Sequence, residues 1–476
     1  MGHSLTVNGM PRPRQGANSA RQLPEKSVIH KIALALVALT VGAGAIVFNE
    51  PAPVDALTLM LIVGLPVIGL VSIRPPLLVI LSALLVMAGA AFFASSLATD
   101  VERAVTHNAV TLYLYLAAFT FAAFVSRNPA AHMRLILNAY TVAAVIAAAA
   151  ALAGYFGMVP GADELFTKFG RASGPFKDPN VFGAFLVLAV VYTLHLALSL
   201  RGGASVAAFA ALGLMMFAVL LSFSRGAWAA SGVGILIYGY LSFVTAKRNL
   251  DRVKLICLTG ASVAAAVLLV GVAFETDGIA KLLEERASLS QDYDEGPDGR
   301  FGGQAKAEAL IVENVFGIGA LEFNAEYHPE DVHNVYLTMF LNAGWLGGFL
   351  YLFIAALTAL FGVRHAFRRT STQPLFIVAY AALAATLLEG LLIDSDHWRH
   401  FYLLMGLVWG LMIADRRIVR EARIIIDRRP VLLNKVLIIP PSRRKARVLT
   451  PIRRALSAEA RPVVPRRPAR IISSRR

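Results

Sequence analysis

Twelve apolar runs, most of them about twenty residues long and separated by short polar corners, limit what this 476-residue chain can become. A helix rises about 1.5 Å per residue, so a bilayer core about 30 Å thick is crossed by roughly 20 apolar residues. The runs lie at 28–48, 55–73, 76–97, 108–126, 133–156, 180–199, 204–222, 226–245, 253–274, 334–363, 374–393 and 400–415. The expected fold is therefore all-α, a polytopic transmembrane helical bundle of about twelve spans. At 57% hydrophobic and 16% charged residues, the composition excludes an ordinary soluble core.

The first run carries Ala43-Gly44-Ala45, which imitates a signal-peptide cleavage site. It is long enough to span and eleven more runs follow, so it reads as the first transmembrane helix. Many runs are rich in Ala, Gly and Val, the residues that let membrane helices approach closely. The run 334–363 exceeds one crossing and is expected to tilt or project. The single cysteine, Cys257, lies in an apolar run; no disulfide framework or Cys-based metal site is possible, and the residue is expected to pack as a hydrophobe.

Orientation follows from the short loops. With the N-terminus inside, the inside segments hold Arg74, Arg127, Arg134, Arg201, then Lys247, Arg248, Arg252 and Lys254, then Arg364, Arg368 and Arg369. Before residue 416 the inside segments total sixteen Lys and Arg against ten outside, and an even number of spans puts both termini in the cytoplasm. The segments expected are a disordered cytoplasmic N-terminus (1–27), transmembrane helices 1–9 (28–273), a large extracytoplasmic loop (274–332), transmembrane helices 10–12 (333–415) and a basic cytoplasmic tail (416–476). The tail holds nineteen Lys and Arg against three acids and accounts for the high overall charge. Attraction to anionic inner-leaflet lipid explains it better than nucleic-acid binding, which is not expected.

The large loop, between spans 9 and 10, has the opposite character. From Phe274 to Asp331 it carries fourteen Asp and Glu against four Lys and Arg. It ends in His333-Asn334-Val335-Tyr336-Leu337, where a new span begins. Four other features fall on the same side: Arg171 with Lys177-Asp178-Pro179-Asn180, the corner Ser222-Phe223-Ser224-Arg225-Gly226, Arg300 inside the loop, and Asp394-Ser395-Asp396-His397-Trp398-Arg399-His400. Charges beside hydrocarbon are costly and mark candidate sites. The planar guanidinium fork suits phosphate oxygens, so arginines converging on one face suit a lipid-linked phosphate or pyrophosphate. Taken singly, each arginine is better read as reaching headgroups or pairing with an acid; their joint placement on one face favours the phosphate reading. His333, with a carboxylate neighbour, suits a general base on a sugar hydroxyl, or a plain cap at the span entrance. The Asp394, Asp396, His397 and His400 spacing matches no strong metal motif. Asn180 also sits where a helix N-cap would fall. Tyr336, Trp345 and Trp398 read as interfacial anchors.

In order and in membrane side, these motifs resemble the O-antigen ligase and Wzy-type polymerase superfamily of bacterial surface-polysaccharide assembly. The resemblance rests on Gly170-Arg171-Ala172-Ser173-Gly174-Pro175-Phe176 with Asp178-Pro179-Asn180, on Ser224-Arg225-Gly226, and on Gly299-Arg300. It continues through Asn314-Val315-Phe316-Gly317-Ile318-Gly319, His333-Asn334-Val335-Tyr336-Leu337 and Gly344-Trp345-Leu346-Gly347, and covers about residues 160–415. It implies an inverting, metal-independent glycosyltransferase without cofactor in the bacterial inner membrane, with 274–332 as a periplasmic active-site loop. The donor it implies is a glycan on undecaprenyl pyrophosphate, and the acceptor is lipid A-core or a lipid-linked glycan. By that resemblance His333 is the catalytic base and Arg171, Arg225 and Arg300 bind the pyrophosphate. Arg399, His397, Lys177 and Asn180 support them. An O-antigen ligase is the leading expectation and a Wzy-type O-antigen or exopolysaccharide polymerase the alternative. A lipid or solute transporter is disfavoured, because charges gather at span edges rather than at mid-depth.

Overall fold

The computed structural model describes residues 27–274 and 296–415. The expectations for the N-terminal segment and the basic tail fall outside those residues, as does the most acidic part of the large loop.

Each apolar run forms a helix. In chain order these are α1 (Val28–Ala43), α2 (Pro53–Val67), α3 (Pro75–Ser95), α4 (Val101–Arg127), α5 (Pro129–Tyr155), the single turn α6 (Ala162–Phe166), α7 (Pro179–Ser199), α8 (Gly203–Leu221), α9 (Arg225–Thr245) and α10 (Asn249–Phe274). The loop contributes α11 (Arg300–Glu313), followed by α12 (Val335–Ala366), α13 (Gln373–Glu389) and α14 (399–415). The only sheet among the described residues is a hairpin of two-residue strands, β1 (Thr167–Lys168) and β2 (Arg171–Ala172). Among the described residues, seven helices are long and apolar enough to cross a bilayer, and α1, α2 and α13 are shorter apolar helices. The chain is an all-α, multi-pass membrane protein.

Local chemistry fixes where the helices begin. Proline opens α2, α3, α5 and α7, where its missing N–H costs nothing. Asp100, Asp178, Ser224 and Asn334 cap α4, α7, α9 and α12 by accepting from first-turn amides. The long run expected to tilt instead bends: Gly344 breaks α12 with φ 63°, ψ −171°. The freed carbonyl of Leu341 accepts from the amides of Ile318 (2.8 Å) and Gly319 (3.2 Å), and Trp345 N–H donates to the Val315 carbonyl (2.9 Å). A Cβ on Gly344 would lie 2.6 Å from the Val315 carbonyl oxygen, so only glycine lets the loop seat in the break.

The centre is made by α7, α13, α14 and the second half of α4, buried on nearly every side; α13 packs against α9 and α7, and α12 against α3. Around them, Val67, Val79, Leu236 and Phe353 point outward with 60–80% of their surface exposed. An apolar surface of that kind needs lipid rather than water. Two sequence expectations are corrected by burial. Cys257 is exposed on α10 instead of packed. Trp398 is buried with its ring stacked 5.1 Å from that of His400, because its loop folds inward over the bundle. Trp345, by contrast, is exposed and Tyr336 half-buried.

Candidate functional site

Successive helices run in opposite directions, so alternate corners collect at each end of the bundle. One end gathers 44–52, 96–100, 156–178, 222–224, 296–334 and 390–398. Their mutual bonds place them together: Val47 pairs with Phe176 in a parallel bridge, Thr99 donates twice to Glu322 (2.5 and 3.0 Å), and His333 N–H donates to Asp394 (2.8 Å). Arg171, Arg225, Arg300 and His333 all belong to this end.

Here the corners surround a cavity of about 530 Å³ whose walls include His333, Lys177, Asn180, His397 and Arg399, with Glu50, His107, Asp394 and Asp396. Arg171, Arg225 and Arg300 are not among the residues that line it. Arg171, on β2, is buried; its Nε donates to the Ser222 carbonyl and its Nη2 to Asn180 Oδ1, both at 2.7 Å. Asp178 is the true cap of α7, which leaves the Asn180 side chain for Arg171. Arg225 opens α9 two residues beyond Phe223, whose backbone is left-handed at φ 47°. The next residue, Gly226, presses on buried Glu389, so closely that a Cβ would lie 3.1 Å from Oε1. The following carbonyl, Gly390, accepts from Val335 N–H (2.9 Å) beside His333. Arg300 opens α11, and Gln304, one turn on, reaches the His333 carbonyl (3.4 Å).

His333 itself is held in the left-handed region, φ 54°, immediately before α12. Asn334 is the cap, so the imidazole is not spent on the helix end. Its Nε2 lies 3.7 Å from Glu330 Oε2, a carboxylate that can orient the ring. Asp394 accepts the His333 amide on one oxygen and the Thr338 hydroxyl (2.5 Å) on the other. Burial, reinforced by Asp396, pushes the Asp394 carboxyl up to about 7.

A second cluster joins Lys177, His397 and Arg399, which the sequence singled out, to Glu50, Asp55 and His107, which it did not. Arg399 grips Asp55 with Nε and Nη2 (2.7 and 2.8 Å) and Glu50 with Nη1 (3.1 Å), while Lys177 meets Glu50 at 2.7 Å. Burial pushes the Glu50 carboxyl up, but hydrogen bonds from Lys177 and Arg399 outweigh it and hold the group below the usual carboxylate range. Arg399 is thus neutralised by two carboxylates and acts as wall. His107, from α4, stacks on His397 at 3.9 Å and lies 3.5 Å from Asp396. Burial pushes His397 down to about 4, so its ring is neutral and can share a hydrogen bond with Thr111 (2.8 Å). Ligand atoms of His107, Asp396 and His397 lie within 4.8 Å of one another, close enough to hold a divalent ion. The other two members of the sequence cluster go elsewhere: Asp394 serves His333, and His400 is buried against Trp398. Glu50, Asp55 and His107 carried one faint signal, being isolated polar residues at span edges on the side where the arginines gather.

With this geometry in place, the comparisons with known proteins give one positive result. Residues 208–352, from α8 through the loop into α12, match the model of the O-antigen ligase family, Wzy_C. The matched segment contains Arg225, Arg300 and His333 and is similar to that family over less than a third of the chain. No curated protein matches the chain.

Proposed function

Taking the O-antigen ligase domain at 208–352 as premise, we propose that this protein is an O-antigen ligase that moves a glycan from undecaprenyl pyrophosphate to a sugar hydroxyl of lipid A-core at the periplasmic face. The observation that carries the proposal is the setting of His333. It is strained in backbone, excluded from capping, bonded to Asp394 and open to a cavity large enough for sugar rings.

In the proposed reaction His333 takes the proton of the acceptor hydroxyl, and Glu330 orients the ring and balances its charge. The hydroxyl oxygen attacks the anomeric carbon as the bond to pyrophosphate breaks on the opposite face, which inverts that carbon. The electron pair leaves on a phosphate oxygen. Arg171, Arg225 and Arg300 meet the growing negative charge with fixed guanidinium groups. Asn180 holds Arg171 in place, while Lys177 and Arg399 shape the wall with Glu50 and Asp55. No step in this scheme requires a metal ion. The acidic loop facing the periplasm and the basic corners facing the cytoplasm complete the proposed orientation.

The test is a deletion strain carrying either the wild-type gene or His333→Ala, examined for lipopolysaccharide and secreted polymer. Loss of ligation leaves uncapped core while long lipid-linked chains accumulate. Core bearing at most one repeat, or lost exopolysaccharide, would assign a Wzy-type polymerase instead. His333→Ala should reproduce the deletion while inserting normally, since a positioned base contributes about 10²- to 10⁴-fold. Normal surface polysaccharide in that variant would remove the mechanism.

A further inference from the structure

At the end of the bundle away from His333, the ends of α7, α9, α10 and α13 leave a groove of about 750 Å³. Three cations face it, Arg201, Lys247 and Lys254, against one carboxylate, Asp251. Hydroxyls line it from two directions: Ser242 and Thr245 on α9, Thr370 and Ser371 on the corner before α13. Its floor is closed by His195 and buried Tyr238, which share a hydrogen bond of 3.0 Å. The groove also receives the first residues of α13, Gln373 and Pro374, so a helix N-terminus adds partial positive charge.

These groups have little else to do. Lys254 donates to the Leu198 carbonyl at the end of α7, but among the described residues neither Arg201 nor Lys247 has an ion-pair partner. The corner carrying Thr370 is rigid, because Asp415 accepts hydrogen bonds from Thr370 and Thr372 and pairs with His365 at 2.9 Å. Cations and hydroxyls converging on a fixed concave site between helix ends are the chemistry that binds a phosphate group. We propose that this groove is a phosphate-binding site, filled by the headgroup of an anionic phospholipid or by a soluble phosphate ester. The inference is independent of the catalytic reading of His333.

The experiment compares purified wild-type protein with Arg201→Gln/Lys247→Gln, whose side chains are exposed and whose loss leaves the helix contacts intact. Each is titrated with phosphatidylglycerol, phosphatidylcholine and glycerol 3-phosphate, and binding is read by native mass spectrometry and by shift in melting temperature. Each cation near anionic headgroups contributes about fivefold in affinity, so the double variant should bind phosphatidylglycerol roughly twenty-five-fold more weakly while phosphatidylcholine is unaffected. Selective loss of glycerol 3-phosphate binding with unchanged phosphatidylglycerol binding would support the site and assign it a soluble ligand. Asp251→Asn, which removes the carboxylate, should tighten whichever ligand binds. If wild type and double variant bind both phosphates equally, or Asp251→Asn weakens them, the site is refuted.

Discussion

The two ends of this bundle are built from the same helices yet solve the backbone differently. Every non-glycine residue with positive φ among the described residues, Phe169, Phe223, Leu321 and His333, lies at the end that holds the cavity. The opposite end, where the chain must also turn left-handed, uses glycine, at Gly69 and Gly202. A side chain in that region costs of order 1 kcal/mol or more, and proteins tolerate it where a site dictates direction. Charges divide the same way. Around the cavity, Glu50, Asp55, Lys177 and Arg399 are locked in one network, whereas Arg201 and Lys247 at the other end face an open groove. The cavity end puts its left-handed backbone on side chains and locks its charges together; the other puts it on glycine and turns Arg201 and Lys247 toward the groove.

The sharpest way to break this contrast is at Arg225. If the cavity end depends on fork geometry, Arg225→Lys should lose roughly a hundredfold in transfer rate with a purified lipid-linked donor, although its charge is kept. An unchanged rate would reduce Arg225 to a headgroup contact and make the two ends alike.

A second comparison separates strain from chemistry. His333→Gly should raise melting temperature by a few degrees, consistent with about 1 kcal/mol of relieved backbone strain, and still be inactive. Gly202→Ala should lower melting temperature by a similar amount while transfer continues. Equal behaviour of the two variants would mean that the left-handed residues carry no functional direction.

The smallest effect concerns acid. The Glu50 carboxyl is held below its ordinary value of 4.5, so the stability it contributes is present above that pH and is lost as pH falls below it. Melting temperature in detergent should therefore drop modestly below about pH 4.5, and Glu50→Gln should flatten the curve. Glu50 is partly exposed, so salt should also weaken the effect.

These measurements follow lines that the sequence shows unevenly. The helices were legible because apolar length is a local property: all twelve runs become helices, with ends shifted by a few residues toward prolines and caps. The common side of Arg171, Arg225, Arg300 and His333 was legible too, since alternate corners of antiparallel helices share an end. Of the cavity wall, His333, Lys177, Asn180, His397 and Arg399 were singled out, whereas Glu50 and His107 were not, and neither were the pairings. Arg399 and Asp55 are 344 positions apart, and nothing local to either marks the pairing. His107 looks like one more polar residue in the first turns of α4 until the last corner folds down and His397 stacks on it. Cys257 was misplaced because an apolar neighbourhood in sequence does not tell a helix face toward lipid from one toward protein, and Trp398 because nothing local shows that its polar corner folds inward over the bundle.

The break in α12 at Gly344 has a consequence for how this protein can be altered. Because Ile318 and Gly319 complete the unmet carbonyl of Leu341, the loop preceding His333 and the span following it form a mortise and tenon. Neither half can be swapped into a relative without the other, and a single methyl at Gly344 would prise the joint apart. Chimaeras that exchange residues from Asn314 to Gly347 as one block should keep the joint whole, whereas a cut between them would leave an open seam beside His333.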